Sequence, residues 1–444
     1  MRASHDIWDR RDACPTLSRR SFIGTGALGL LALVPSAIWS AEDRKKGKLS
    51  IAEAFDREVE PFMKARKVPG GALAVVKDRR LVYARGYGWA DREKRIPARP
   101  ESLFRIASLS KPITAVAVLK LVEAGQLKLE DRAFDIVNLP AHVSAGKKPD
   151  PKLKQITIRQ LLQHTGGWDR DKSGDPMFLC QEIAQALGVD SPPGPRQIIQ
   201  YMLGQPLDFD PGTRYAYSNF GYCVLGRVIE KLAGLTYEKH VQQQVLEPAG
   251  IKRMRIGASL EHNRRPDEVR YYMRRNQLTT SVFSGGFDEL PWPYGGFFLE
   301  AMDAHGGWVA SAIDLARFAA ALDDTEHSPL LKPDTFRIMD APPAAPVSRG
   351  PDGSLEDYYY GCGWLIRPVG KEGKANYWHA GSLPGTYTLL VRRWDGLSWA
   401  VLFNQRTSDK KLPDSAIDVA LHRAADAVSE WPKEDLFKER QETG

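Results

Sequence analysis

Ser108 and Lys111 stand three residues apart at the front of "FRIASLSKPITAVAVLKLVEAG", residues 104–125. Residues at that spacing share one face of a helix. A helix starting near Ala107 and stopping at Gly125, a good residue to follow a helix end, would therefore set a hydroxyl beside an amine. The amine can take the hydroxyl proton, and the free amides and dipole of a helix start favour negative charge on the attacked group, so the pair suits a nucleophile. Pro112 costs little in the first turn, where its missing amide would lack a partner. The same spacing recurs at Ser144/Lys147 and Ser408/Lys411, in polar loops that read as solvated clusters. Only the Ser108 copy opens a long apolar helix, and its competing role is that of a simple helix cap.

Two more groups carry chemistry. Tyr217-Ser218-Asn219 is the only Tyr-x-Asn in the chain. Its phenol can accept and return a proton near a cation, and its amide can orient a carbonyl; the plainer role is a packed tyrosine with Ser218 as cap. His379-Ala380-Gly381-Ser382 ends a strand, where Gly381 lets a ligand approach the backbone closely. His164-Thr165-Gly166 and His305-Gly306-Gly307 share the His-x-Gly pattern but lie in loops, where hydrogen bonds that pin the loop explain them.

The elements that must position these residues are strands at both chain ends and helices between. Residues 50–67 form an amphipathic helix, with Ile51, Phe55, Val59 and Phe62 on one stripe. "GGALAVVKDRRLVYARGYGWAD" is a hairpin. "ITIRQLLQHTGG", a segment from about Phe220 to Ala233, "TYEKHVQQQVLEPAG" behind Thr236, and "SAIDLARFAAAL" behind Ser311 are helices. The strands "YYYGCGWLIR", "ANYWHAG", "GTYTLLVRRW" and "LSWAVLFNQR" follow, the last two joined by Asp395-Gly396, a strong hairpin signal. A helix over about 413–430 and a charged tail, 433–444, end the chain. This predicts an α+β fold: an antiparallel sheet built from both chain ends and flanked by helices (about 50–105 and 355–430), plus a mostly helical lobe between. Residues 258–305 show little periodicity, and the aromatic run from Phe287 to Phe298 reads as an excursion lining a cleft.

With 444 residues, 43% of them apolar, the chain can bury one large core or two lobes. The net charge of +7 is spread over short, separated clusters, and no nucleic-acid motif accompanies it. Ser18-Arg19-Arg20-Ser21-Phe22-Ile23 ahead of an apolar run to Val34 resembles a twin-arginine export signal, which makes residues 1–41 a signal segment, 42–432 the folded domain and the expected location periplasmic. The run is short for a membrane span; retained, it would be an anchor. Once it is removed, Cys180, Cys223 and Cys362 remain, at spacings that match neither a metal site nor a redox pair. They read as buried thiols, with room for one disulfide.

Ser108-Leu109-Ser110-Lys111, Tyr217-Ser218-Asn219 and His379-Ala380-Gly381, in that order and rough spacing, resemble the penicillin-recognising serine hydrolases: class C-type β-lactamases, D-alanyl-D-alanine peptidases and their esterase relatives. "ITIRQLLQHTGG", "PGTRYAYSNFGY" and "GGWVASAIDLARF" extend the likeness over about 50–430. The resemblance implies that Ser108 is the nucleophile, Lys111 the general base and Tyr217 the group that assists proton transfer to the leaving group. It further implies an oxyanion hole from the backbone N–H groups of Ser108 and Ser382, with Asn219 and the edge from His379 through Gly381 to Ser382 holding the substrate. No metal or other cofactor is expected. The expected partner is a small or peptide-like substrate with a carbonyl group, cell-wall-derived material included, and not a nucleic acid or a membrane; the chain is expected to be a monomer. The third box departs from the Lys-Thr-Gly common in β-lactamases and peptidases of this group, which occurs nowhere in the chain. His379 in its place exchanges a permanent cation for a group mostly neutral at pH 7, which shifts weight toward the esterases and the peptidases of the family that also carry His in this box. A catalytically silent penicillin-binding or scaffold protein of the same fold is the alternative, as is a tethered cell-wall-binding protein.

Overall fold

The computed structural model describes residues 49–143, 148–274, 277–283, 289–344, 358–370, 373–407 and 409–439. The Arg19-Arg20 segment, Ser144, Lys147, Ser408 and Phe287 lie outside the described residues.

Gly70–Lys77 and Leu397–Phe403 are apolar at almost every position, the pattern of strands buried on both faces. They pair antiparallel in the middle of the main sheet, with Ala74 opposite Ala400. Across that eight-stranded sheet the order is Tyr359–Tyr360, Leu365–Val369, Lys374–Leu383, Thr386–Arg392, Leu397–Phe403, Gly70–Lys77, Arg80–Asp91 and Ile96–Pro97. The two chain ends thus share one antiparallel sheet, the α+β arrangement expected. On one face Leu73, Val75, Trp399 and Val401 pack with Phe55 and Val59 of the helix Ile51–Arg66 and with Leu421 of the helix Ala416–Ala427. On the other, Ala72, Ala74, Val76, Ala400 and Leu402 belong to a larger core that continues through the helix Ala312–Asp323 into the helical part.

The helix Ser110–Glu123 runs through that larger core. Every residue from Ser110 to Leu119 is buried, and the helix packs against Asn219–Ala233. Three helix starts are capped by side chains, two of them, at Thr236 and Ser311, as expected from sequence. Ser50 and Glu53 form a capping box, Thr236 accepts from the Lys239 amide, and Ser311 and Asp314 form another box.

Three segments differ from the sequence reading. "YYYGCGWLIR" is broken into Tyr359–Tyr360 and Leu365–Val369, because Gly363 turns the chain at φ 84°, where its missing Cβ clears Ala115 of the central helix. "TYEKHVQQQVLEPAG" is an α-helix, Tyr237–Val241, that widens into a π turn, Gln242–Leu246. Within the expected charged tail, Leu436–Glu439 form a short helix whose Phe437 is buried under Arg317. Cys180, Cys223 and Cys362 are all buried free thiols, and burial pushes the Cys180 thiol up to about 11. Among the described residues no helix is long and apolar enough to cross a membrane.

Candidate active site

Ser108 lies in the 3₁₀ turn Ala107–Leu109, one step ahead of the α-helix rather than inside it. Ala107 has φ 49°, a left-handed conformation that costs a residue with a Cβ about 1 kcal/mol and persists only where the surroundings impose it. Here they do. The Ile106 amide donates to the Trp308 carbonyl at 2.9 Å, Thr388 Oγ1 donates to the Ile106 carbonyl at 2.9 Å, and Ser110 Oγ donates to the Ala107 carbonyl at 2.7 Å. The strand Lys374–Leu383 presses on the same turn at Gly381, where an added Cβ would collide with the Ile106 carbonyl oxygen and Thr388 Oγ1. The turn that carries Ser108 is therefore clamped between a helix start and a strand edge.

Behind Ser108, Lys111 is fully buried and its Nζ has three neighbours. They are the Asn219 Oδ1 at 2.7 Å, the His305 carbonyl at 2.9 Å and Ser108 Oγ at 3.1 Å. The first two can only accept. Burial, then the positive charge of Arg170, hold the Lys111 amine well below the usual lysine range, with Asp175 opposing. A neutral amine has two hydrogens. With both given to Asn219 and His305, its lone pair is left facing the Ser108 hydroxyl, the arrangement of a general base.

The helix carrying Asn219 starts where the sequence places it: Ser218 caps it by accepting from the Gly221 amide at 3.2 Å. Asn219 is engaged at both ends of its amide, since Nδ2 donates to Asp175 Oδ2 at 2.6 Å. Expected as a substrate holder, it lines the pocket but first of all orients Lys111. Tyr217 stands two residues before Asn219, with Lys111 Nζ 4.7 Å and the Arg170 guanidinium 4.6 Å from its ring centre. His164 pins this turn as expected: its Nδ1 accepts from the Ser218 amide at 3.1 Å, and its ring lies 4.3 Å from that of Tyr217. His305, also read as a loop pin, holds Lys111 through its backbone carbonyl rather than its ring.

His379 is fixed as a neutral ring. Its Nδ1 lies 2.8 Å from the Ala380 carbonyl, an acceptor only, so Nδ1 carries the proton. Nε2 then accepts from the Tyr360 hydroxyl at 2.9 Å. Burial above all lowers the ring to about 3, while burial raises Tyr360 well above the usual phenol value and keeps it a donor. The third box thus supplies no cation. Beside it, Ser382 Oγ accepts from the Arg406 guanidinium at 3.1 Å.

Ser108, Tyr217, Asn219, His379 and Ser382 line one pocket, with Lys111 and Gly381 directly behind it. Phe178, Met302, Leu365 and Leu383 give it apolar walls, and Arg170 gives it a charge. None of these five was singled out by sequence. Asp175 had a readable sign, an Asp-Pro pair that caps the short turn Pro176–Phe178, but nothing in it pointed to Asn219. The described part of the aromatic run expected to line the cleft does not. Tyr294 is buried beside Arg105, its hydroxyl accepting from the Tyr271 amide at 2.8 Å; Phe297 lies behind Phe178; and Trp292 packs on the core. The reason is the fully buried Arg105–Glu268 pair, which needs rings and carbonyls around it: Arg105 lies 4.4 Å from the Tyr271 ring and donates to the Ala258 carbonyl at 2.7 Å. Arg105 stands two residues before the turn Ala107–Leu109 that carries Ser108, so the excursion supports that turn from behind. Among the described residues no three His, Cys, Asp or Glu gather as a metal site would require.

A family model described as Beta-lactamase matches residues 55–424. The chain is 31% identical over 264 residues to the probable fimbrial assembly protein FimD, serogroup H1, of Dichelobacter nodosus, covering 57% of this chain and 58% of that protein. It thus spans little more than half the length of this relative. Over 360 residues it is 27% identical to penicillin-binding protein 4* of Bacillus subtilis (strain 168), covering 79% of this chain and 71% of that one. Among solved structures, the D-amino acid amidase of Ochrobactrum anthropi SV3, complexed with L-phenylalanine amide, is similar with a TM-score of 0.64 at 22% identity. That match covers 85% of this chain and 98% of the amidase, and is a likeness of fold.

Proposed function

Since the chain belongs to the beta-lactamase family, we propose that it is an exported serine hydrolase that forms a Ser108 acyl-enzyme on an ester, amide or β-lactam carbonyl. The observation that carries this is the Lys111 amine, whose two acceptors leave its lone pair for the Ser108 hydroxyl. Lys111 takes the serine proton as Oγ attacks. The backbone N–H groups of Ser108 and Ser382 stabilise the oxyanion, each such donor contributing about 3 kcal/mol to barrier lowering. Tyr217, beside Lys111, relays the serine proton from Lys111 to the leaving group; water then attacks the acyl carbonyl, giving to Lys111 a proton that returns to Ser108 Oγ as the acid departs. The amidase among the structural neighbours and the penicillin-binding relative support a carbonyl substrate of small or peptide-like kind, and the Arg19-Arg20 segment supports export to the periplasm.

The neutral His379 favours substrates that need no cation at the strand edge. Mature protein is therefore expected to hydrolyse a short-chain nitrophenyl ester with a kcat/KM about tenfold or more above that for a chromogenic cephalosporin, a difference of about 1.4 kcal/mol. Faster cephalosporin turnover would make the protein a β-lactamase despite His379. Stable labelling by a fluorescent penicillin without turnover would favour the silent penicillin-binding alternative.

Asp175 holds the Asn219 amide and, as an anion, raises the Lys111 pKa. Asp175→Ala should therefore lower kcat about tenfold, through a loosened Asn219, and move the acid limb of the pH–rate profile to lower pH. A limb that moves to higher pH would contradict this placement of the charge.

A further inference from the structure

Four observations single out Arg170. It lines the same pocket as Ser108, on the wall of Tyr217, with its guanidinium 4.6 Å from that ring. It is the one permanently charged side chain among the described pocket-lining residues. No acidic side chain among the described residues lies within ion-pair distance of it, and the carboxylates of Asp169, Asp175 and Asp208 are engaged elsewhere. Asp169 takes Arg214 at 2.8 Å, Asp175 takes Asn219 at 2.6 Å, and Asp208 takes the Ser173 hydroxyl at 2.7 Å and the Asp169 amide at 2.8 Å. Those same contacts brace the turn Arg170–Ser173, which is capped by Asp169, so the guanidinium is presented from a fixed base. The strand on the other wall offers the neutral His379 and the Ser382 hydroxyl, whose oxygen accepts from Arg406, a side chain that does not itself line the pocket.

A half-buried cation without a counter-ion, held over a ring on the wall of a pocket whose other described lining residues are apolar or neutral polar, is arranged to receive an anion. We propose that Arg170 selects substrates bearing a carboxylate on the leaving-group side, the side on which Tyr217 stands. The assignment rests on the serine-hydrolase reading and deepens it: the strand edge, where the ring-held carboxylate of a cephalosporin would lie, keeps no cation, and the charge supplied from a different element on the Tyr217 wall serves a carboxylate on a leaving group free to reach it. An apolar acyl group would then face Phe178, Met302, Leu365 and Leu383, with the anionic end of the leaving group against the guanidinium fork.

The test compares nitrophenyl acetate with its ring-carboxylated analogue, whose leaving group carries one added carboxylate. Their ratio of kcat/KM cancels any effect of Arg170 on Lys111, which acts on both esters alike. Arg170→Gln should lower the carboxylated-to-neutral ratio about tenfold or more, mostly through KM. Arg170→Lys, which keeps the charge but not the fork, should restore part of that preference, and raising the salt concentration should narrow it in the unmodified protein. If the unmodified protein hydrolyses both esters through Ser108 and the ratio is unchanged in Arg170→Gln and Arg170→Lys, the Arg170 assignment falls while the hydrolase reading stands. If it hydrolyses neither ester, both fall.

Discussion

Replacing Lys111 with methionine is expected to lower kcat/KM for a short-chain nitrophenyl ester by about a thousandfold, the scale of a lost general base combined with a misaligned nucleophile. Methionine fills a similar volume at a fully buried position but leaves the Ser108 hydroxyl no group to take its proton. Lys111→Arg separates the two roles a lysine can play. Arginine keeps a positive charge but does not deprotonate, so an equal loss identifies Lys111 as a base, and rescue would make it an electrostatic group. The pH profile of the unmodified protein gives the same information without mutation. Burial lowers the Lys111 pKa well below 10.5, so the rate should rise with pH through that lowered value and level off long before pH 10.5. A rate still climbing toward pH 10.5 would show a lysine that is charged at neutral pH.

Ser108→Ala carries the second large effect, a loss of about ten-thousandfold or more, because the attacking oxygen itself is gone. The fold should not suffer. Ser108 is half-buried and the hydrogen bond its side chain makes is to Lys111, while the turn is held by Ile106, Ala107 and Ser110 contacts that the variant keeps. The expected change in Tm is within about 2 °C, as for substitutions away from core and caps. Hydrolysis that survives in a folded Ser108→Ala protein would move the nucleophile elsewhere.

Seven residues picked from sequence, Ser108, Lys111, Tyr217, Asn219, His379, Gly381 and Ser382, meet at one pocket. They were readable because each stands where a regular element begins or offers an edge, and such places leave a pattern in the chain. The central strands were readable for a related reason: burial on both faces leaves Gly70–Lys77 and Leu397–Phe403 almost free of polar residues. What escaped came from side-chain direction in loops. Arg170 and Asp175 lie in short turns whose composition is that of an ordinary surface loop, and only the packing shows one aimed at Tyr217 and the other at Asn219. The run from Trp292 to Phe298 failed in the opposite sense. Its composition suited a cleft, but a buried Arg105 drew Tyr294 and Phe297 inward, and composition does not tell which side of a loop a ring will cover.

The most direct measurement is the mass of the protein itself during turnover. The mature protein, mixed with a slowly released ester or a penicillin and quenched in acid, should gain the mass of one acyl group. Digestion should place that mass on the peptide containing Ser108, and Ser108→Ala should gain nothing. Steady hydrolysis with no adduct, or an adduct on any other residue, would contradict the acyl-enzyme account.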